Sequence, residues 1–301
     1  SYSNGSGCGN DTASERSMVS KYIVDSVKYW ADEYHIDGFR FDLVGLVDTV
    51  TINSIMQEVR KDHPNVLFYG EGWSMDTQPT KQGVLLTTKD NASAVPGFAF
   101  FSDTIRDLLK GSVFDNTTPG FVTGVPASDA DLWRCFMGIP AWCPSPLQTV
   151  NYVSCHDNYT LIDKIIISRN GAYWDQMVKM NNLSAAMYML AQGIPFIYSG
   201  EELLREKKDE WGNRQHNTYD ASDYVTKIRW DELVTKDFAQ VTDDYYAGLV
   251  AFRKNHAALR APAAVTLLMM ANMAIAGYAE EIILEAIDKG FIKKDVANFV
   301  K

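Results

Sequence analysis

Residues 36–70 read IDGFRFDLVGLVDTVTINSIMQEVRKDHPNVLFYG. Ile36 to Asp42 alternates side-chain type with a period of two and predicts a strand. Asp48 reads as the N-cap of a helix that runs to about Lys61, where His63 and Pro64 stop it. Val66 to Gly70 is a short apolar strand. Strand, helix and strand in this order predict a parallel βαβ unit, whose functional groups collect beyond the carboxyl ends of its strands.

Outward from this unit the same alternation continues. Ser14 to Glu33 has helical spacing, with Val19, Ile23, Ser26, Val27 and Trp30 on one stripe. Thr149 to Ser154 reads as another strand, Asn182 to Gln192 as a helix ending near Gly193, Ile194 to Tyr198 as a strand and Tyr245 to Asn255 as a helix. Two long stretches, Ser112 to Ala130 and Arg205 to Asp223, are rich in turn formers; in a barrel enzyme such loops build the substrate cleft.

Composition narrows the function classes. The 301 residues are 46% hydrophobic and 12% aromatic, which suits one large globular domain, or one and a fragment. A net charge of -10 argues against a sequence-nonspecific nucleic-acid binder, whose affinity comes from Lys and Arg on phosphates. Cys8, Cys135, Cys143 and Cys155 form no CxxC pair and no Cys/His ligand spacing, so isolated thiols are expected rather than structural zinc. Ser1 to Asn10 has neither the basic region nor the apolar run of a secretory signal. The most apolar segment, Ala261 to Tyr278, is interrupted by Pro262 and Asn272 and falls short of the ~20 residues of a bilayer span, so it reads as a buried or interfacial helix.

Three strand ends carry the chemistry. In Asp37-Gly38-Phe39-Arg40-Phe41-Asp42, alternation puts Gly38, Arg40 and Asp42 on one face and the two Phe on the other. A parallel strand buried on both faces is apolar on both, and Arg40 beside Asp42 breaks that rule. The guanidinium would hold the carboxylate ionised and oriented, as a nucleophile needs. In Phe68-Tyr69-Gly70-Glu71-Gly72-Trp73 a carboxyl lies just past a strand, next to an apolar group of the kind that raises a general acid's pKa; an unremarkable exposed loop Glu is the equal alternative. In Tyr152-Val153-Ser154-Cys155-His156-Asp157-Asn158 a His-Asp pair ends an apolar strand. Alone such a pair more often caps or hydrogen-bonds, but three strand ends bearing Arg/Asp, Glu and His/Asp in order are far more specific.

Together these motifs resemble the α-amylase superfamily of glycoside hydrolases. The longer strings, Asp37 to Gly45, Tyr69 to Trp73, Val153 to Leu161 and Gly193 to Phe196, resemble type I pullulanases, and the likeness covers roughly residues 1–260. It implies a retaining hydrolase of α-1,6-glucosidic linkages in pullulan, amylopectin and branched dextrins. Asp42 would attack the anomeric carbon, and Glu71 would protonate the leaving oxygen and later activate water, with the two carboxyls ~5–5.5 Å apart. Asp157 would hold sugar hydroxyls and favour the distorted ring, while Arg40 and His156 complete the cradle. Asn217, Tyr219 and Asp223 would be further substrate contacts, with ordinary turn residues as the even alternative. Trp73, and behind it Phe100 and Phe101, would stack on glucose rings, with core packing as the alternative.

The implied fold is α/β, a partial (β/α)8 TIM-type barrel over residues 1–260 that lacks its first strands, with a helical C-terminal tail over 261–301 not recognised as the family's β-sandwich. The family's earlier motif, an Asp followed by Asn-His, is absent from the chain. The expectation is therefore weak hydrolysis unless the N-terminal barrel segment or self-association completes the pocket. No cofactor is required; a structural calcium is compatible with the likeness, without a ligand cluster to name. The expected partner is an α-glucan, with neither nucleic acid nor membrane. An α-1,4-acting maltodextrin hydrolase and a non-catalytic glycan-binding fragment stay open. Relatives of this kind occur both inside and outside bacterial cells, so localisation stays open too.

Overall fold

The computed structural model describes residues 3–77, 79, 81–169, 171–235 and 237–262. The tail expected to be helical therefore lies, from residue 263 on, outside the described residues. Described residues up to Ser102 together with Met137–Asn151 form one compact unit, and Asp103–Phe136 together with those from Tyr152 onward form a second. The alternation of parallel strands and helices is the expected architecture.

In the first unit, α1 (Ser17–Tyr34) precedes β1 (Gly38–Phe41), α2 (Thr49–Arg60), β2 (Leu67–Gly70), β3 (Ala99–Phe101) and β4 (Thr149–Asn151). All four strands are parallel: Phe39 lies beside Phe68, Gly70 beside Phe100, and Phe101 beside Val150. Phe39 and Phe41 point into a core of Ile52, Ile55 and Val59 from α2, Phe68 from β2, and Phe98 and Phe100. The helix α2 starts where Asp48 predicts, because its carboxylate accepts the Thr51 N–H at 2.9 Å. Ser14 does not start α1 as expected. It is buried, and its hydroxyl accepts the Asp48 N–H at 2.9 Å, which ties the approach to α1 to the cap of α2. The buried stripe of α1 follows Ile23, Val27 and Ala31; Trp30, expected on that stripe, falls to its flank, 43% exposed, with its ring 4.4 Å from that of Tyr34.

The second unit contains α3 (Asp103–Lys110), α4 (Asp129–Phe136), α5 (Leu161–Ser168), α6 (Trp174–Leu190), β5 (Ile194–Pro195), α7 (Asp223–Thr226), α8 (Glu232–Thr235) and α9 (Asp237–Asn255). Its core gathers Leu109, Leu161, Ile165, Tyr188, Met189 and Leu249. Buried within it, the Glu201 carboxyl accepts hydroxyl hydrogens from Tyr188 and Tyr246, each at 2.8 Å, and burial pushes its pKa up. Arg253 of α9 donates to the Met189 and Ala191 carbonyls at 2.8 and 2.7 Å, which supplies partners for the carboxyl end of α6. Both α6 and α9 begin about two turns earlier than expected, because small or polar buried residues such as Asn181 and Thr242 hide the apolar period there. The strand expected over Ile194 to Tyr198 shrinks to β5, where Pro195 has no N–H to give a ladder. Among the described residues no helix is long and apolar enough to cross a membrane.

Candidate active site

The carboxyl ends of β1 and β2 in the first unit bring three expected residues together. Arg40 donates from one guanidinium nitrogen to Asp42 Oδ1 at 2.8 Å and from the other to Glu71 Oε1 at 2.8 Å. Asp42 lies one residue beyond β1, with a side chain that is 70% exposed, whereas the Glu71 side chain, one residue beyond β2, is only 8% exposed. Backbone geometry fixes the pair. The Glu71 N–H donates to the Phe41 carbonyl and the Gly45 N–H to the Glu71 carbonyl, both at 3.2 Å. A Cβ on Gly70 would stand 2.4 Å from the Phe41 oxygen, and one on Gly45 would stand 2.0 Å from the Trp73 oxygen, so only glycine permits this approach.

Directly after Asp42 the chain turns through Leu43 with φ at 44°, a left-handed conformation uncommon outside glycine. The turn aims the Leu43 N–H at the second Glu71 oxygen, at 3.3 Å. Burial raises the Glu71 pKa; the Arg40 charge and the Leu43 N–H oppose that rise, and the hydrogen-bonded Asp42 carboxylate adds to it. The result is one exposed and one enclosed carboxyl, joined by a single guanidinium.

Trp73 is half-buried, and the Lys89 ammonium lies 4.8 Å from its ring centroid, so a cation covers part of the ring expected to stack on glucose. Phe100 and Phe101, the lesser candidates, belong to β3 and are 0% and 4% exposed; they are core residues. Of the two alternatives open for them this favours core packing, because three successive β3 side chains are all buried.

In the second unit, His156 and Asp157 lie between β4 and α5, His156 exposed and Asp157 partly so, with His156 Nε2 3.5 Å from Asp157 Oδ1. The buried Thr218 hydroxyl donates to the His156 carbonyl at 3.3 Å, which brings the Asn217–Tyr219 segment to this loop, with both flanking side chains exposed. Asp223 is exposed at the first residue of α7. Cys155, His156 and Asp157 place ligand atoms within 4.8 Å of one another. A thiol does not suit calcium, which takes oxygen ligands. A cation there would also meet the Lys110 and Lys207 charges that act on Cys155, whose thiol burial pushes up.

Sequence reasoning paired Arg40 with Asp42 but missed its second partner Glu71. It also missed Leu43, because a leucine at positive φ has no sequence signature.

Comparison with known proteins gives a consistent picture. The family described as alpha amylase, catalytic domain, matches residues 9–257. The pullulanase of Bacillus subtilis (strain 168) is 38% identical over 265 residues, covering 86% of this chain and 35% of its own length. A solved pullulanase from Anoxybacillus sp. LM18-11, complexed with maltotetraose, is similar with a TM-score of 0.80 and 39% identity, covering 86% of this chain and 37% of that one. A type I pullulanase from Bacillus subtilis str. 168 complexed with maltose has a TM-score of 0.81 at 35% identity, covering 89% of this chain and 37% of that one. The chain thus spans about a third of the length of these relatives.

Proposed function

Because the chain belongs to the α-amylase catalytic-domain family and matches part of its TIM-type barrel, we propose that it is a retaining glycoside hydrolase that cleaves α-1,6 linkages of pullulan, amylopectin and branched dextrins. The observation that carries this reading is the Arg40 bridge between exposed Asp42 and buried Glu71. An exposed carboxylate beside a buried carboxyl whose pKa burial raises suits a nucleophile and a general acid.

In the first step an Asp42 oxygen bonds to the anomeric carbon as the glycosidic C–O bond breaks, and the Glu71 proton passes to the departing oxygen. The ionised Glu71 then takes a proton from water, whose oxygen displaces Asp42 from the anomeric carbon; two inversions retain the configuration. Arg40 orients the Asp42 carboxylate through its ion pair and faces the charge that forms on Glu71 after it has given up its proton. By likeness to the family, Asp157 and His156 are hydroxyl-binding residues for glucose, and Asn217, Tyr219, Asp223 and Trp73 are further sugar contacts. This chemistry needs no metal.

The test is release of reducing ends from pullulan by the purified chain. Asp42→Asn is expected to lower the rate by at least roughly four orders of magnitude, the scale of nucleophile loss. Equal rates for the two proteins, both above the uncatalysed background, would remove the catalytic reading, and faster release from linear maltodextrin than from pullulan would move the linkage to α-1,4.

A further inference from the structure

We propose that Lys110 and Lys207 are positioning residues that hold the His156–Asp157 loop in its sugar-binding shape, a role that rests on the reading of those two side chains as glucose contacts. Between the end of β4 at Asn151 and the start of α5 at Leu161 the chain forms neither helix nor strand, so no backbone ladder sets its course. Two buried ammonium groups do so instead. Lys110, at the end of α3 and 2% exposed, donates to the Val153 and Tyr159 carbonyls at 2.6 and 2.8 Å. Lys207, 0% exposed, donates to the His156 carbonyl and, at 2.8 Å, to the Asn158 carbonyl.

These carbonyls bracket and alternate through the segment that carries His156 and Asp157. Asn158, the residue after Asp157, is held at φ 62°, a left-handed conformation that an unclamped loop would relax. Burying an ammonium is unfavourable, and an apolar side chain could fill the same space, so what the two lysines contribute is their donors. Around Lys110 the facing groups are Cys155, Arg106, Glu201 and Lys207, and around Lys207 they are Cys155, Asp163, Arg205 and Asp157. Charges of both signs surround each ammonium, which fits a geometric role better than a simple ion pair.

The test is a double-mutant cycle on the full chain with pullulan as substrate. Lys207→Met and Lys110→Met are each expected to lower kcat/KM by about tenfold or more, yet by less than about threefold once Asp157 is already Ala, because the loop has then lost the carboxylate it aims and keeps only His156. Hydrogen exchange, which reads the clamp whether or not any glucan is cleaved, is expected to speed up over residues 154–159 while the rest of the second unit stays unchanged. Should Lys207→Met fail to fold, Thr218→Val removes one donor from the His156 carbonyl and carries the same comparison with about a threefold loss. Equal losses in the native and Asp157→Ala backgrounds, or exchange that rises throughout the unit, would overturn the positioning role. If Asp157→Ala leaves kcat/KM intact while Asp42→Asn abolishes turnover, the assignment of Asp157 fails instead, and exchange alone decides the clamp.

Discussion

In the proposed mechanism Arg40 serves two carboxyls that need opposite protonation states, and the sign of its effect on Glu71 can be tested. Its charge favours ionised Glu71 and so opposes the rise that burial imposes. In Arg40→Met the Glu71 proton is therefore held to higher pH. The alkaline limb of the kcat/KM profile should move upward while the maximum falls by about a hundredfold, as expected when a charge partner of the nucleophile is lost. A limb that moves downward would contradict the account. The trio was legible in the sequence because alternation exposed Arg40 and Asp42 together and two glycines framed Glu71. The buried lysines were not legible. Lys110 finds its carbonyls more than forty positions along the chain, a separation no local pattern encodes.

Among the elements, α2 shows what a sequence pattern specifies well. Its cap, apolar stripe and stop agree, so its bounds follow from local chemistry. Asp48→Ala should lower stability by about 1 kcal/mol through loss of the cap to Thr51, and Ile55→Ala by about 2–5 kcal/mol through a cavity against Phe68 and its neighbours, both read from urea midpoints. The elements that escaped the sequence are short or flanked by polar residues. Ala99–Phe101 offers three residues, too few to display a period, and in α5 a buried polar pair, Asp163 and Lys164, interrupts the run of Leu161, Ile162 and Ile165 and masks its apolar face. Strand ends were overestimated at Asp42 and Ser154 for one shared reason: side-chain and turn hydrogen bonds replace the ladder there, as the Ser154 hydroxyl does by accepting the Leu161 N–H at 2.8 Å.

For the whole molecule, charge and pH give two further expectations. On the proposed reading that this chain of net charge -10 takes a neutral glucan, its KM for pullulan should change less than about twofold between about 50 and 500 mM salt, since screening acts on charged partners. A steep salt dependence would point to an ionic ligand instead. Burial lowers the pKa of Lys110 and Lys207 to about 8, below the usual lysine value of 10.5. Between those values the unfolded chain binds more protons than the folded one, so these two groups add stability as pH rises from about 8 to 10.5, and Lys207→Met should flatten that slope in chemical denaturation. The glycines at 45 and 70 bear on the protein's capacity to change. With the Phe41 and Trp73 oxygens pressed against those two positions, no other amino acid is admissible at either without moving the backbone of Phe41 or Trp73. A randomised library across residues 38–73 would therefore lose most members to those two positions alone, and new specificities are better sought by diversifying Asn217 and Tyr219, whose side chains are exposed on either side of buried Thr218.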